Sequence, residues 1–377
     1  MKPVTENDLS EIVKGASQPF HIRGGGTRNI GKPVNGAVLN TEGLSGITLY
    51  EPGALTLVAK AGTSLAEIEQ ALDAENQRLP FEPMDHRGLL GTSGTPTIGG
   101  VVAGNVSGPR RIQAGACRDF MLGVRFVDGT GRIIKNGGRV MKNVTGYDLV
   151  KLMTGSWGSL GVLTEVSMKV LPKPETAACV LINGLSDAEA VSVMSKALGS
   201  PYEVTGAAHT SSGVDGDPVT MLRIEGFEQS VAYRADQLQA LFSEHDVVIE
   251  SDPARVAAGW EWVRDVQPMH GTSGDVWRFS VKPSDAPALV AALKAEHPVN
   301  RTLYDWGGGL IWVETDPGTN LRPDDLAGHA TLIRAEEKTR QALPVFQPES
   351  AGLSALTTGI RARFDPKALF NPGLMSA

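Results

Sequence analysis

The chain has 377 residues with 35 basic and 42 acidic side chains, a net charge of −7 and a length that fits two domains, or one large and one small. A hydrophobic share of 41% with 20% charged residues excludes a disordered chain, and an acidic balance with no basic block excludes a nucleic-acid binder. Two cysteines, Cys117 and Cys179, are too few for an iron–sulfur cluster, an all-cysteine zinc site or a disulfide framework. The polar start Met1-Lys2-Pro3-Val4-Thr5-Glu6 is no signal peptide, and no apolar run reaches the ~20 residues of a spanning helix, so a cytoplasmic chain is expected.

From the N-terminus, Thr5 is placed to cap a helix from Glu6 to Lys14, and Phe20-His21-Ile22-Arg23 reads as a short strand. Ile47 to Tyr50 and Leu55 to Ala61 read as strands around Glu51-Pro52-Gly53, followed by a Ser64/Glu67 capping box and the helical stripe Leu65, Ile68, Leu72. Residues 1–83 are expected as one lobe and 84–172 as a second. The second contains a hairpin about Asp128-Gly129-Thr130-Gly131 and an alternating strand from Val162 to Val170. Pro172-Lys173-Pro174 marks the domain boundary. Beyond it come a strand at 180–182, a helix capped by Ser186 and Glu189, strands near 204–210 and 219–227, a helix near 230–242 and a strand at 247–249. That order, β-α-β-β-α-β, is the ferredoxin-like plan. More strands are expected around 277–279 and 310–313, and no internal repeat is evident. A second domain of 173–345 is followed by a segment, 346–377, whose Phe364-Asp365-Pro366 and Asn371-Pro372-Gly373 turns pin the tail back to the first domain.

Glycine is the informative residue: 27 of the 44 fall in residues 1–172, and 17 lie between Gly88 and Gly161. Glycine among alternating valine, isoleucine and leucine means positive φ or backbone pressed close to a large ligand. In Arg23-Gly24-Gly25-Gly26-Thr27-Arg28 a strand feeds three residues without Cβ, whose amides can curl around an anion while Thr27 and two arginines add donors and charge. Neither common nucleotide fingerprint is complete: Asn29 stands where G-x-G-x-x-G needs glycine, and Pro33 where a P-loop needs a hydroxyl. A second constellation, Pro96-Thr97-Ile98-Gly99-Gly100 through Asn105-Val106-Ser107-Gly108, sets a Gly-Gly pair beside a short apolar helix with Asn105 and Ser107 as donors. A third spans Asn143-Val144-Thr145-Gly146-Tyr147-Asp148 and Gly155-Ser156-Trp157-Gly158-Ser159-Leu160-Gly161-Val162.

This ordered set, closed by Phe-Asp-Pro and Asn-Pro-Gly, resembles the vanillyl-alcohol-oxidase/MurB-type FAD-binding domain over about 1–172 and 360–373. With Gly328-His329-Ala330-Thr331-Leu332 it is similar, more narrowly, to the smaller FAD-binding subunits of bacterial glycolate oxidases. The resemblance implies an α+β fold: a two-part FAD-binding domain with a ferredoxin-like α/β cap. It implies that Arg23, Gly24, Gly25, Gly26, Thr27 and Arg28 hold the pyrophosphate, and that Thr97, Ile98, Gly99, Gly100, Asn105, Ser107 and Gly108 run beside the flavin. Gly161 and Val162 would lie near the adenosine, with Pro83 and Asn371 completing the set. Many relatives link FAD to a histidine directly after the glycines; Thr27 stands there, so non-covalent FAD is implied. His21 and His86 are read as structural or solvent-facing. The metal-binding His…Gly-Asp-Gly-Asn-x-His stretch of related dehydrogenases is absent, as His270-Gly-Thr-Ser-Gly-Asp275 runs into Val276-Trp277, and no metal is expected.

Oxidising a 2-hydroxy acid requires a cation for the carboxylate and a base for the hydroxyl proton. Arg223 or Arg278 and His209, His270 or Tyr304 are candidates, with no catalytic residue singled out; Trp260, Trp262 and Trp306 read as core. The expected protein is a subunit that needs a larger flavoprotein and an iron–sulfur partner, reaching the inner membrane only through them. A self-sufficient FAD oxidase and a non-catalytic FAD-binding scaffold are the alternatives.

Overall fold

The computed structural model describes residues 1–140 and 146–376 and resolves into two compact units. The first comprises Met1–Ser107, Gly115–Lys173 and Pro348–Ala377; the second comprises Gly108–Ala114 and Pro174–Gln347. The short stretch Gly108–Ala114, expected within the first domain, therefore groups with the second.

In the first unit, strands β1 (Phe20–Arg23) and β2 (Ala37–Asn40) pair in parallel. Strands β3 (Ile47–Glu51) and β4 (Thr56–Lys60) form the hairpin seen in the sequence, and Gln77–Arg78 (β5) leads away from the helix Leu65–Ala74. Strands β6 (Met121–Val127), β7 (Ile133–Gly137) and β8 (Val162–Lys169) join them in one antiparallel sheet of order β3-β4-β8-β6-β7, and β9 (Leu171–Pro172) returns to β5. The expected division into lobes at residue 83 is thus incorrect: β4 pairs with β8 across more than a hundred residues. Strand pairing is non-local, so a sequence read element by element yields the strands but not their neighbours. Thr5 and Asp8 form the capping box of the helix Glu6–Lys14, whereas Ser64 supplies one bond, accepting the Glu67 amide. The first helix buries Leu9 and Val13 against Phe20, Leu39, Val127 and Val162, and the tail adds Leu369 and Phe370 to the same core. Asp365 folds that tail by accepting the amides of Leu369 and Phe370.

The second unit is built on one eight-stranded antiparallel sheet, order β13-β10-β12-β11-β15-β16-β14-β17. Its first half is β10 (Thr176–Asn183), helix Asp187–Leu198, β11 (Gly206–Thr210), β12 (Val219–Gly226), helix Glu228–Leu241 and β13 (Asp246–Glu250), the ferredoxin-like plan expected from the sequence. The Ser186/Glu189 box starts its first helix. The second half is β14 (Asp275–Val281), helix Ala286–Glu296, β15 (Val299–Asp305), β16 (Leu310–Thr315) and β17 (Gly328–Arg334). Its strand order reads as the first half turned end for end, and the halves join where β11 meets β15. The architecture therefore repeats although the sequence shows no repeat. The second crossover helix is replaced by residues 316–327, rich in Asp, Pro and Gly. Both cysteines are free and buried, and burial pushes the Cys179 thiol up to about 12.

A candidate FAD cradle in the first unit

Strand β1 ends at Arg23 and delivers the three glycines against a second glycine segment, Gly91 to Gly100. A Cβ on Gly24 would lie 2.5 Å from Thr97 Oγ1. A Cβ on Gly25 would fall on the Thr95 carbonyl, and one on Gly94 would fall on the carbonyl of Gly25, so two backbones cross with no side chain between them. Of the three, only Gly26 has positive φ, at 71°, and its missing Cβ leaves room for the Arg23 guanidinium, whose Nη2 would be 2.7 Å away. Gly25 is therefore a crossing point and Gly26 is the turn. Thr27, 5% exposed, sits directly after it, its carbonyl accepting from Thr92 Oγ1 at 3.0 Å.

Arg28 is the charge of the site. Its Nε donates to His86 Nδ1 at 3.3 Å, and its Nη1 lies 3.1 Å from where a Cβ of Gly100 would be. Among the described residues no carboxylate comes within ion-pair distance of it, and burial pulls its pKa down to about 10. A half-buried cation whose hydrogen-bond partner is an imidazole leaves donors facing the glycine backbone, and this is what an anion repays. The residues thus fit the diphosphate of FAD. His86, read from the sequence as structural or solvent-facing, is 7% exposed and orients Arg28.

Other expected contacts are placed differently. Thr97 caps the helix Ile98–Ala103, Ile98 is fully buried, and Gly99 packs against Ala61, whose Cβ would be 2.6 Å from its own; Gly100 alone of that pair faces Arg28. Asn105 and Ser107, expected as ligand donors, have side-chain oxygens engaged with the backbone. Asn105 Oδ1 accepts from the Arg118 amide at 2.9 Å, and Ser107 Oγ accepts from Cys117 at 2.9 Å while donating to the Asn105 carbonyl. Short polar side chains are well suited to such backbone bonds. Gly108 belongs to the second unit, its carbonyl taking the Trp306 indole N–H at 3.0 Å. Asn371 ties the tail, accepting from Ile22 N–H and donating to the Trp157 carbonyl, at 2.8 and 2.9 Å. Gly161 packs on Phe126, Val162 is in the core and Pro83 is buried. Asn143, Val144 and Thr145 lie outside the described residues. Gly94 and Thr95 were missed; the glycine-rich run Gly91-Thr92-Ser93-Gly94-Thr95 before Pro96 was the available signal.

In the second unit, His209 is fully buried, with Nδ1 2.9 Å from Thr220 Oγ1 and Nε2 3.3 Å from Asp187 Oδ1. Burial alone would raise the Asp187 carboxyl, but bonds from His209 and Lys294 and the lysine's charge hold it at about 2. Tyr304 packs beside His209 and burial raises its pKa, so this is an interior network rather than an open base. His270 Nε2 is bonded to the Asp265 carbonyl. Arg223 bonds Thr205 and stacks on Trp260, next to Glu225, which Arg110 grips with two bonds. Arg278 stands apart, its guanidinium over the rings of Trp306 and Trp312. Trp306 is 4% exposed, in keeping with a core residue.

A family profile described as an FAD binding domain matches residues 1–137. Glycolate oxidase subunit GlcE of Escherichia coli is 36% identical over 364 residues, covering 95% of this chain and 93% of that protein. D-lactate dehydrogenase of Archaeoglobus fulgidus is 34% identical and glycolate oxidase subunit GlcD of Bacillus subtilis 31% identical, over 46% and 48% of this chain and 38% of each relative. A solved structure of alkyldihydroxyacetonephosphate synthase superposes with a TM-score of 0.70 over 99% of this chain and 76% of its own, at 17% identity, which shows a shared fold.

Proposed function

Because this chain belongs to the family of GlcE-type FAD-binding subunits of glycolate oxidase, and is accordingly an FAD-dependent oxidoreductase, we propose that it is the smaller flavin subunit of a complex oxidising glycolate or a related 2-hydroxy acid to the 2-oxo acid. The observation that carries the reading is the cradle: Arg28, half-buried, bonded to His86 and in no ion pair among the described residues, beside the crossing of Gly24–Gly26 with Gly94–Gly100. The backbone of Gly24 to Thr27 and the Arg23 and Arg28 guanidiniums would hold the diphosphate, with Gly100 leaving room for it. When bound, FAD supplies a hydride acceptor that can hand electrons on one or two at a time. The chain's own residues shape and charge the site: His86 orients Arg28, and Gly26 makes the turn. Thr27 has no nucleophilic nitrogen, so nothing at that position bonds the flavin covalently.

Electrons leave through partners, a larger flavoprotein and an iron–sulfur protein, because two buried cysteines build no cluster here. No helix among the described residues is long and apolar enough to cross a membrane, and we place the complex in the cytoplasm with any membrane contact made by those partners. The test is turnover of glycolate with an artificial dye, per FAD, for this chain alone and for the co-expressed complex. The proposal expects the chain alone to be slow or inactive; equal turnover would overturn the subunit reading in favour of a self-sufficient oxidase.

A further inference from the structure

We propose that the exposed helix Ala351–Phe364 of the first unit pairs antiparallel with the same helix of a second copy of this chain, about a two-fold axis at Leu356. Both ends of the helix are held: Ser350 accepts the Leu353 amide, and Phe364 packs near Phe126, ring centres 6.0 Å apart, while its carbonyl accepts from Gly129. Yet none of its 14 residues is buried. Leu353, Leu356 and Ile360, at i, i+3 and i+7, share one side of it and are 50%, 66% and 38% exposed. A ridge of large apolar side chains at helical spacing left in water marks a contact surface. Gly352 and Gly359, four residues before Leu356 and three after it, lie along the same face. A Cβ at either would meet nothing within 4 Å, so nothing in the described residues of this chain requires glycine there. Glycine inside a helix is unfavourable, and the close approach of a second backbone accounts for both.

The face is complementary to itself. In an antiparallel pair with its axis at Leu356, each residue before the axis stands opposite the one equally far beyond it in the second copy, and the converse holds by symmetry. Leu353 then faces Gly359, Ile360 faces Gly352, and Leu356 meets its own copy, so the flanking large side chains fall on glycines. Glu349, seven positions before the axis, faces Arg363, seven positions after it. Arg363 has neither an ion pair nor a hydrogen bond among the described residues, and Glu349 has only the Thr357 hydroxyl, at 2.9 Å. The helix carries Arg361 and Arg363 in its last turn and no acid in its first, so a parallel pair would set like charges side by side. The antiparallel pair makes two Glu–Arg contacts and runs the two helix dipoles in opposite directions. Large meets small and acid meets base within one sequence, which selects a second copy over a foreign partner. At 1.5 Å per residue the helix is about 21 Å long, and one such pair falls short of the ~1,200 Å² of a standard interface, so the dimer is weak and reversible. The pairing is independent of the function proposed above.

Sedimentation velocity of the FAD-loaded chain across a concentration series tests this. A reversible monomer–dimer equilibrium with a dissociation constant of about 1–100 µM is expected. Leu356→Glu, which sets two carboxylates against each other at the axis, is expected to leave a monomer with wild-type flavin content. Gly359→Leu should melt at or above the dilute wild-type chain, since leucine suits a helix better than glycine, yet lose pairing because the space for Leu353 of the second copy is filled. Glu349→Arg and Arg363→Glu each place like charges at both ends of the pair and should dimerise about 10-fold more weakly. Mixed in equal amounts, those two variants should recover a mixed dimer, because each end then carries one acid and one base. A chain that stays monomeric up to its solubility limit, a dimer that Leu356→Glu leaves intact, or charge variants that fail to recover on mixing would each overturn the proposal. Protection of Leu356 only when partner subunits are co-expressed would overturn it in their favour.

Discussion

Gly25→Ala isolates the crossing on which the cradle depends. The added methyl would coincide with the Thr95 carbonyl oxygen and lie 2.6 Å from its carbon, where real Cβ contacts stay beyond 3.0 Å. Both obstacles are backbone, so no rotamer change relieves them, and the two segments must part by roughly an ångström. Overpacking of this kind costs about 1–3 kcal/mol, and a backbone clash belongs at the upper end. For a unit of this size that is a fall of about 5–12 °C in melting temperature, with a further loss wherever FAD had been stabilising the fold by mass action. Gly100→Ala is the contrast. Its methyl meets the Arg28 guanidinium and the Thr97 hydroxyl at 3.1 and 3.3 Å, contacts that side chains can yield, so the apo fold holds while the anion site narrows. Melts of the apo and FAD-loaded variants, with FAD affinity from fluorescence quenching, separate the two. A Gly25→Ala chain with wild-type melting and flavin content would show that the backbones do not cross as described.

The Asp187 carboxyl, held at about 2 against an ordinary 3.8, contributes stability that is complete above pH 4 and is lost as the pH falls from about 4 to about 2. Asp187→Asn should cost about 2 kcal/mol at pH 7, and denaturant titrations should show that gap closing through this window; a constant gap refutes the linkage. Asn371→Ala removes two bonds that hold the tail and should lower the melting temperature and speed hydrogen exchange at Ile22, with unchanged exchange there counting against the tie. Acid precipitation should leave all flavin in the supernatant, since Thr27 follows the glycines; flavin in the pellet would mean a covalent link elsewhere.

What the sequence made legible was local. The Ser186/Glu189 box and the alternation on either side of it announced the first half of the eight-stranded sheet. The second half escaped because its returning strand is reached through residues 316–327 without a helix, which removes the period that reveals such a unit. Arg23 to Arg28 stood out because consecutive glycines have few other uses. Their counterpart, Gly94 and Thr95, did not, because a backbone crossing joins residues about seventy positions apart. Asn105, Ser107 and Asn371 have the chemistry of ligand donors, and only the structure shows that their side chains also bond the chain's own backbone.

The most direct test of the cradle is an FAD titration of the deflavinated chain beside Arg28→Gln. The account predicts that the variant folds with unimpaired apo stability yet binds FAD about 10- to 100-fold more weakly, because it loses a charge-assisted anion contact. Equal FAD affinity in the two proteins would contradict it, and would place the diphosphate away from Arg28.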